Sequence, residues 1–198
     1  MKRIIILLLA CAILLSTVSF ASENPFTDVT QTDWFYEPVL WALEKGITTG
    51  KTATEFAPDG YCSRGQVVTF LWRLMGKPQP KNTVTPFTDV LTWKYYYPAL
   101  CWALETGVTT GVTETTFEPE RACTMGQIAT FLWRAVGEPE PSDPELVKQY
   151  DSNKFYSKAA AYMDEIGAMA AVQRTFYPYG ISYRDQIVTF IYYTDKHN

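Results

Sequence analysis

The sequence has a single histidine, His197, next to the last residue. Residues so near a terminus commonly fray, so we expect neither a Ser-His-Asp nor a Cys-His arrangement. No group of residues has metal-ligand spacing, and no phosphate-binding loop motif is present. A carboxylate pair such as Asp28 and Glu44 could serve a glycosidase, but nothing distinguishes these two acids from solvated surface residues. The sequence therefore predicts no enzyme, no metal and no cofactor.

Long apolar runs are confined to the start of the chain. Lys2 and Arg3 precede an apolar run over 4–15, and Ser19-Phe20-Ala21 has the small-x-small pattern of a cleavage site. This predicts a secretory signal peptide over 1–21 and an exported protein. The alternative is a lipobox ending at Cys11, which would leave an unusually short apolar core. No later run approaches the roughly 20 residues of a membrane span, so we expect none after cleavage.

Basic residues are also in the minority. Removing Lys2 and Arg3 from the 17 basic residues leaves 15 against 21 acidic residues, a formal charge of −6. Such a balance argues against nucleic acid and acidic membrane surfaces as partners. An anionic ligand would need a local basic site.

Cysteines are few as well. Cys62, Cys101 and Cys123 follow the expected cleavage point, and an odd number does not describe a disulfide framework. Cys62 and Cys123 occupy the same repeat position, where a small buried apolar residue would serve equally well. Buried thiols are the favoured interpretation, and a Cys62–Cys123 bridge is the alternative.

The chain is an array of internal repeats. Residues 26–76 and 87–137 align without a gap, with 26 of 51 positions identical, and a shorter, more divergent copy covers about 142–195. Gly- and Pro-containing joints at 76–80 and 137–141 separate the copies. We expect repeat 1 at 22–80, repeat 2 at 81–141 and a degenerate repeat 3 at 142–198.

Each copy has the pattern of two helices. A first helix runs to Gly46, Gly107 or Gly167, where glycine is the usual stop. A second helix carries apolar residues at i, i+3, i+4 and i+7, so one face of it is buried. No copy could bury this face alone. The sequence predicts a mainly α fold in which three helix-loop-helix repeats share one core.

A recurring motif marks the start of each second helix. It covers 62–73, returns at 123–134 and appears in altered form at 182–193. Ser63 with Gln66, and Thr124 with Gln127, have the spacing of a capping box, so these four residues are predicted to be structural caps.

Arg64 is not explained by capping. It lies in the first helical turn, where the helix dipole disfavours a cation. A bound anion reverses that argument, because free N–H groups, the dipole and a guanidinium would all face it. An exposed arginine paired with a nearby acid is the alternative. Arg184 repeats the position, whereas Met125 replaces the arginine in the second copy.

Aromatic residues exceed what a helical core of this size needs. Trp34 and Trp93 lie in loops and are the better candidates for stacking on sugar rings. Trp41 and Trp102 lie within helices and are predicted to belong to the core.

The order of these motifs resembles the S-layer homology module. The motifs are Phe-Thr-Asp-Val, an aromatic cluster, Gly-Ile-Thr-Thr-Gly, Phe-x-Pro and Cys-Ser-Arg-Gly-Gln before an apolar helix. The resemblance implies a pseudo-threefold helical spindle whose inter-repeat grooves bind secondary cell-wall polysaccharide, commonly bearing pyruvate ketals, in Gram-positive-type bacteria. The family's motif arginine falls on Arg64 and Arg184. Its groove glycines fall on Gly50 and Gly111, and its Phe-x-Asp-Val acid on Asp28 and Asp89.

The resemblance predicts a noncatalytic cell-wall-binding module on the bacterial surface. Its partner would be an acidic glycan attached to peptidoglycan, with other surface proteins as a further class of partner. Since Met125 and Ala171 depart from the family pattern, the groove around Arg64 is expected to be the most complete one. Arg64→Ala would then weaken glycan binding with little change in thermal unfolding. The alternative function is a degenerate trimer that serves as a structural or protein-interaction module without binding glycan.

Overall fold

A computed structural model describes residues 23–198, so the expected signal peptide and Cys11 lie outside the described residues. Within this range the chain is mainly α-helical, as predicted. The helices are α1 (Tyr36–Glu44), α2 (Arg64–Leu74), α3 (Tyr97–Glu105), α4 (Met125–Ala135), α5 (Pro144–Gln149), α6 (Ser157–Glu165), α7 (Ala168–Ala171) and α8 (Arg184–Lys196).

The first helix of each repeat ends where its glycine predicts. α1, α3 and α6 stop shortly before Gly46, Gly107 and Gly167, whose φ angles are 66°, 76° and 76°. This left-handed conformation is readily adopted only by glycine. The glycines therefore turn the chain toward the loop that precedes each second helix.

The second helices form the centre of the molecule. α2, α4 and α8 contact one another, and each also packs against the first helix of the following repeat. The outer pairs are α2 with α3, α4 with α6, and α8 with α1. The apolar faces meet in a single core, which includes Leu71, Leu132 and Ile191. The three pairs of helices thus share one core in a closed ring of contacts.

Short backbone bridges join the repeats just before the second helices. Tyr61 pairs with Tyr183, Ser63 with Ala122, and Thr124 with Ile181, each as an isolated antiparallel bridge. These bridges connect repeat 1 to repeat 3, repeat 1 to repeat 2, and repeat 2 to repeat 3. The starts of α2, α4 and α8 are consequently held together at one end of the core.

Repeat 3 departs from the other two in its loops. It begins with the short helix α5 instead of the Phe-Thr-Asp-Val loop, and residues 168–171 form α7 instead of the Thr-Thr-Gly loop. Asp143 caps α5 by accepting a hydrogen bond from the Glu145 N–H at 2.9 Å. The degeneracy seen in the sequence therefore corresponds to a different local structure.

Cys62, Cys101 and Cys123 are buried free thiols, in agreement with the favoured interpretation. Burial raises the pKa of Cys123 to about 12, although the nearby Arg64 opposes this shift. Among residues 23–198, no helix is both long and apolar enough to cross a bilayer.

Candidate functional site

The start of α2 is occupied by protein groups. Both halves of its capping box are present: the Gln66 N–H donates to Ser63 Oγ at 3.3 Å, and the Ser63 N–H donates to Gln66 Oε1 at 2.9 Å. The Arg64 and Gly65 N–H groups donate to carbonyl oxygens of repeat 2, those of Arg121 and Pro119, both at 2.9 Å. The first three N–H groups of the helix therefore already have acceptors.

The other two helix starts follow the same rule. The first two N–H groups of α4 donate to Gly180 and Pro178 of repeat 3, and those of α8 donate to Gly60 and Pro58 of repeat 1. Thr124 and Gln127 complete the capping box of α4. This corrects the expectation of free N–H groups that would hold an anion, because a neighbouring loop occupies each helix start.

Arg64 is buried rather than exposed, with 2% of its surface accessible. Its Nε–H donates to the Phe117 carbonyl at 2.8 Å, and its guanidinium lies over the rings of Phe117 and Phe131. Burial lowers the pKa of Arg64 because it opposes the charged form. Truncation would leave the Phe117 carbonyl without its donor, which argues against the expectation that Arg64→Ala would leave thermal unfolding unchanged.

Arg184 takes the equivalent position at the boundary between repeats 3 and 1. Its Nη2–H donates to Thr48 Oγ1 at 2.9 Å, and its guanidinium lies over the rings of Phe56 and Phe70. Nη1 lies 3.8 Å from Cys62 Sγ, while the buried Nε has no partner. Arg184 thus retains hydrogen-bonding capacity in a largely apolar enclosure.

A cavity of about 260 Å³ opens at Arg184. Its basic lining residues are Arg184, Arg73 and Lys51, and no carboxylate lines it. Arg73 is oriented by donating its Nη1–H to the Ile47 carbonyl at 2.9 Å. The remaining lining comes mainly from the Thr48-Thr49-Gly50 loop and α2. The arrangement concentrates positive charge next to hydroxyl groups and so favours an anion that bears further polar groups.

A second cavity, of about 550 Å³, shares Arg184, Lys51, Gln66 and Tyr95 with the first. It is further lined by Tyr61 and by the carboxylate of Glu120. Tyr61 and Tyr95 are both exposed. The two cavities form a continuous groove, which we call the Arg184 groove, with a basic inner part and an aromatic outer part.

Asp28 and Asp89, predicted to bind glycan, contact their own repeats. The Asp28 carboxylate accepts hydrogen bonds from the N–H groups of Phe56 and Ala57, at 2.8 and 2.7 Å. Asp89 accepts the equivalent bonds from Phe117 and Glu118. Neither aspartate lines the Arg184 groove. Asp28 thereby fixes the loop that contains the groove-lining Ala57, and Asp89 fixes the equivalent loop of repeat 2.

Gly50 and Gly111 are also explained by close packing. A Cβ atom on Gly50 would lie 2.5 Å from Phe26 Cε1, and one on Gly111 would lie 2.6 Å from Phe87 Cε1. Gly50 additionally lines the inner cavity. Repeat 3 lacks this phenylalanine and has Ala171 at the glycine position. Without the phenylalanine ring, a Cβ atom at this position no longer meets that obstacle.

Met125 fills the arginine position at the boundary between repeats 2 and 3. It is buried, and its Sδ accepts a hydrogen bond from the Tyr177 N–H at 3.3 Å. The facing loop is replaced by α7. This boundary therefore lacks both the guanidinium and the Thr-Thr-Gly loop that form the Arg184 groove.

The two loop tryptophans lie away from the Arg184 groove. Trp34 lines a separate cleft between α1 and α8, while Trp93 is 76% exposed and lines neither that cleft nor the groove. Trp102 is buried as predicted, whereas Trp41 is only partly buried. Sequence analysis did not select Lys51, Arg73 or Tyr95. The only sequence signal for Tyr95 is that it aligns with Trp34 in the repeats.

Comparison with known proteins shows that residues 25–68 and 86–129 each match the S-layer homology domain. An endoglucanase of a Bacillus species is 31% identical over 171 residues, which cover 80% of this chain and 18% of the endoglucanase. A cell surface protein of Thermoanaerobacter kivui is 27% identical, covering 82% and 22%. An S-layer protein of Bacillus licheniformis is 24% identical, covering 98% and 23%. The chain thus spans about a fifth of the length of these relatives.

Proposed function

We propose, from the S-layer homology domains at 25–68 and 86–129, that this chain is a noncatalytic module that anchors itself or a partner at the bacterial cell surface. Relatives named as S-layer and cell surface proteins support this general role. The match to an endoglucanase covers only 18% of that protein, so the name of that protein is not evidence of glucanase activity in this chain.

We further propose that the Arg184 groove is the glycan-binding site and that its ligand is an acidic secondary cell-wall polysaccharide. The observation that carries this proposal is the cavity that brings Arg184, Arg73 and Lys51 together without a carboxylate. An acidic substituent such as a pyruvate ketal would be attracted to these cations, and the Thr48 and Thr49 hydroxyls would meet sugar oxygens. The exposed Tyr61 and Tyr95 rings would stack on a neighbouring sugar ring.

This proposal shifts the expected site from Arg64 to Arg184. Both arginines are buried and each faces a Thr-Thr-Gly loop, but Arg184 lines both cavities of the groove. Arg64 faces the corresponding loop of repeat 2, where Val112 replaces Lys51. Binding at Arg64 would therefore lack one of the three cations.

The test is cosedimentation of the protein with homologous cell walls before and after chemical removal of their secondary polymer. Arg184→Gln is expected to reduce the bound fraction at subsaturating wall concentration by at least about tenfold, since a charge-assisted hydrogen bond contributes about 1.5–3 kcal/mol. Lys51→Gln is expected to reduce it by about threefold, since an ion pair of an exposed lysine contributes only about 0.2–1 kcal/mol. Lys45→Gln is the matched control, because it removes an exposed lysine outside the groove. Equal retention of Lys51→Gln and Lys45→Gln, together with full retention of Arg184→Gln, would refute the site.

A structural or protein-interaction module without glycan affinity is the second candidate. Two observations favour it: neighbouring loops occupy all three helix starts, and Met125 with α7 replaces the groove at one boundary. Retention on walls from which the secondary polymer has been removed would support this function, or binding to peptidoglycan, over polysaccharide binding.

A further inference from the structure

The cleft that contains Trp34 differs in chemistry from the Arg184 groove. It lies between α1 and α8, has a volume of about 430 Å³, and shares no lining residue with the groove. Aromatic rings and carboxylates dominate its lining, which includes Trp34, Tyr36, Tyr192, Tyr193, Asp33 and Glu37. We call it the α1–α8 cleft.

A shallower cavity of about 280 Å³ extends the cleft along α1. It shares Tyr36, Glu37 and Tyr192 with the cleft and adds Trp41 and Glu44. Trp41 packs edge-on against Tyr192, with ring centroids 5.3 Å apart. Five aromatic side chains and three carboxylates thus line one continuous surface.

The cavity that extends the cleft already accommodates an ammonium group of the protein itself, next to the Tyr192 ring that the two cavities share. Lys196 Nζ lies 5.2 Å from the centroid of the Tyr192 ring. Among the residues that line the two cavities, Lys196 carries the only positive charge. Aromatic faces attract cations within about 6 Å of the ring centroid, and the nearby carboxylates add to the attraction. This contact is an internal example of the chemistry that the cleft offers to a ligand.

We infer that the α1–α8 cleft binds an amino sugar whose free ammonium group faces Glu37 and the aromatic rings. An ammonium ion alone would leave most of the 430 Å³ empty, whereas a hexosamine ring also presents apolar C–H faces to Trp34 and Tyr192. An anionic sugar is disfavoured by the carboxylates. The cleft and the Arg184 groove therefore select opposite charges, and neither site depends on the other.

The experiment compares two tetramers with the same β-1,4-linked backbone, one of glucosamine and one of N-acetylglucosamine, by calorimetric titration of the purified protein. The glucosamine tetramer is expected to bind at least tenfold more tightly. Trp34→Ala should weaken its binding at least tenfold and Glu37→Gln about threefold. Trp93→Ala is the matched control, since Trp93 is an exposed loop tryptophan outside the cleft, and it should change nothing.

Two further variants sharpen the test. Lys196→Met removes the internal ammonium group and should strengthen binding about twofold. Arg184→Gln should leave it unchanged, which separates a failure at this cleft from a failure at the Arg184 groove. Equal affinity for the two tetramers, or an unchanged affinity in Glu37→Gln, would overturn the inference even if Trp34→Ala failed to fold. Tighter binding of a lysine-containing peptide than of the glucosamine tetramer would also overturn it.

Discussion

Arg64 and Arg184 occupy equivalent positions but have different hydrogen-bond partners. Each has one buried nitrogen without a partner, Nη2 in Arg64 and Nε in Arg184. The Nε–H of Arg64 donates to a backbone carbonyl, whereas the Nη2–H of Arg184 donates to the Thr48 hydroxyl. A hydroxyl can reorient toward a ligand, whereas the Phe117 carbonyl is fixed by the backbone. At the scale of single residues, Arg184 is therefore the better prepared of the two for an incoming acidic group.

Asp185 is the residue for which the structure predicts a pH effect on stability. It stands where repeats 1 and 2 have glycine, is fully buried, and contacts Arg174 at 3.0 Å. Burial raises the pKa of Asp185, and the hydrogen bond and charge of Arg174 oppose this shift. The folded protein consequently binds a proton more readily at this carboxylate than the unfolded chain does.

The sign of the effect follows from this difference in proton binding. Between the ordinary aspartate pKa of about 4 and the raised pKa in the folded state, Asp185 lowers the free energy of unfolding as pH rises. We expect urea unfolding at a series of pH values to show this loss in the wild type and not in Asp185→Asn. Asp59→Asn, which removes the exposed carboxylate on the same arginine, is the control. Identical pH profiles for the wild type and Asp185→Asn would contradict the prediction.

The start of each second helix is the element that joins neighbouring repeats. In α2 and α4 the second helical residue is glycine, and the neighbouring loop approaches it closely. A Cβ atom on Gly65 would lie 2.7 Å from Cδ1 of the buried Tyr96, and one on Gly126 would lie 2.8 Å from the Pro178 carbonyl oxygen. Glycine is required here by the proximity of the next repeat rather than by backbone conformation.

Gly65→Ala should therefore destabilise the protein, although alanine is the better helix former by up to about 1 kcal/mol. We expect the free energy of unfolding in urea to fall by about 1–3 kcal/mol, the usual cost of overpacking. Gly107→Ala isolates the backbone contribution, because Gly107 has a φ of 76° and its Cβ would meet no atom within 4 Å. A Gly65→Ala protein as stable as the wild type would contradict the prediction, because Tyr96 would then move away from the new Cβ atom without loss of stability.

The whole molecule is stabilised by contacts that close into a ring. α2, α4 and α8 each donate hydrogen bonds to the next repeat, and each packs against the first helix of that repeat. In any two repeats taken alone, one second helix would lack both the carbonyls that accept its first N–H groups and the helix that packs against it. The three copies should therefore unfold together, as expected of one domain with a shared core.

Removing repeat 3 tests this cooperativity. A fragment ending at residue 141 loses the Gly180 and Pro178 carbonyls that accept from the start of α4, and it exposes the apolar faces that α8 covers. We expect the fragment to lack the cooperative thermal transition of the 198-residue chain when unfolding is followed by circular dichroism. A sharp transition at the same midpoint temperature would show that two repeats are enough for cooperative folding.

The sequence by itself determined the helical class, the two repeats that match a known domain, the helix ends at Gly46 and Gly107, and the capping pairs of α2 and α4. All of these depend on residues within a few positions of one another, so periodicity and spacing reveal them. The two matches to the S-layer homology domain follow from the same motifs.

Only the tertiary structure decided which arginine faces a basic cavity and which groups occupy the helix starts. The Arg64 side chain reaches a carbonyl 53 residues away, and Arg184 reaches a hydroxyl 136 residues away. Contacts between such distant residues depend on how the repeats close into a ring, and a local motif does not specify them. For the same reason Trp34 faces α8 in a separate cleft, away from Arg64 at the start of α2.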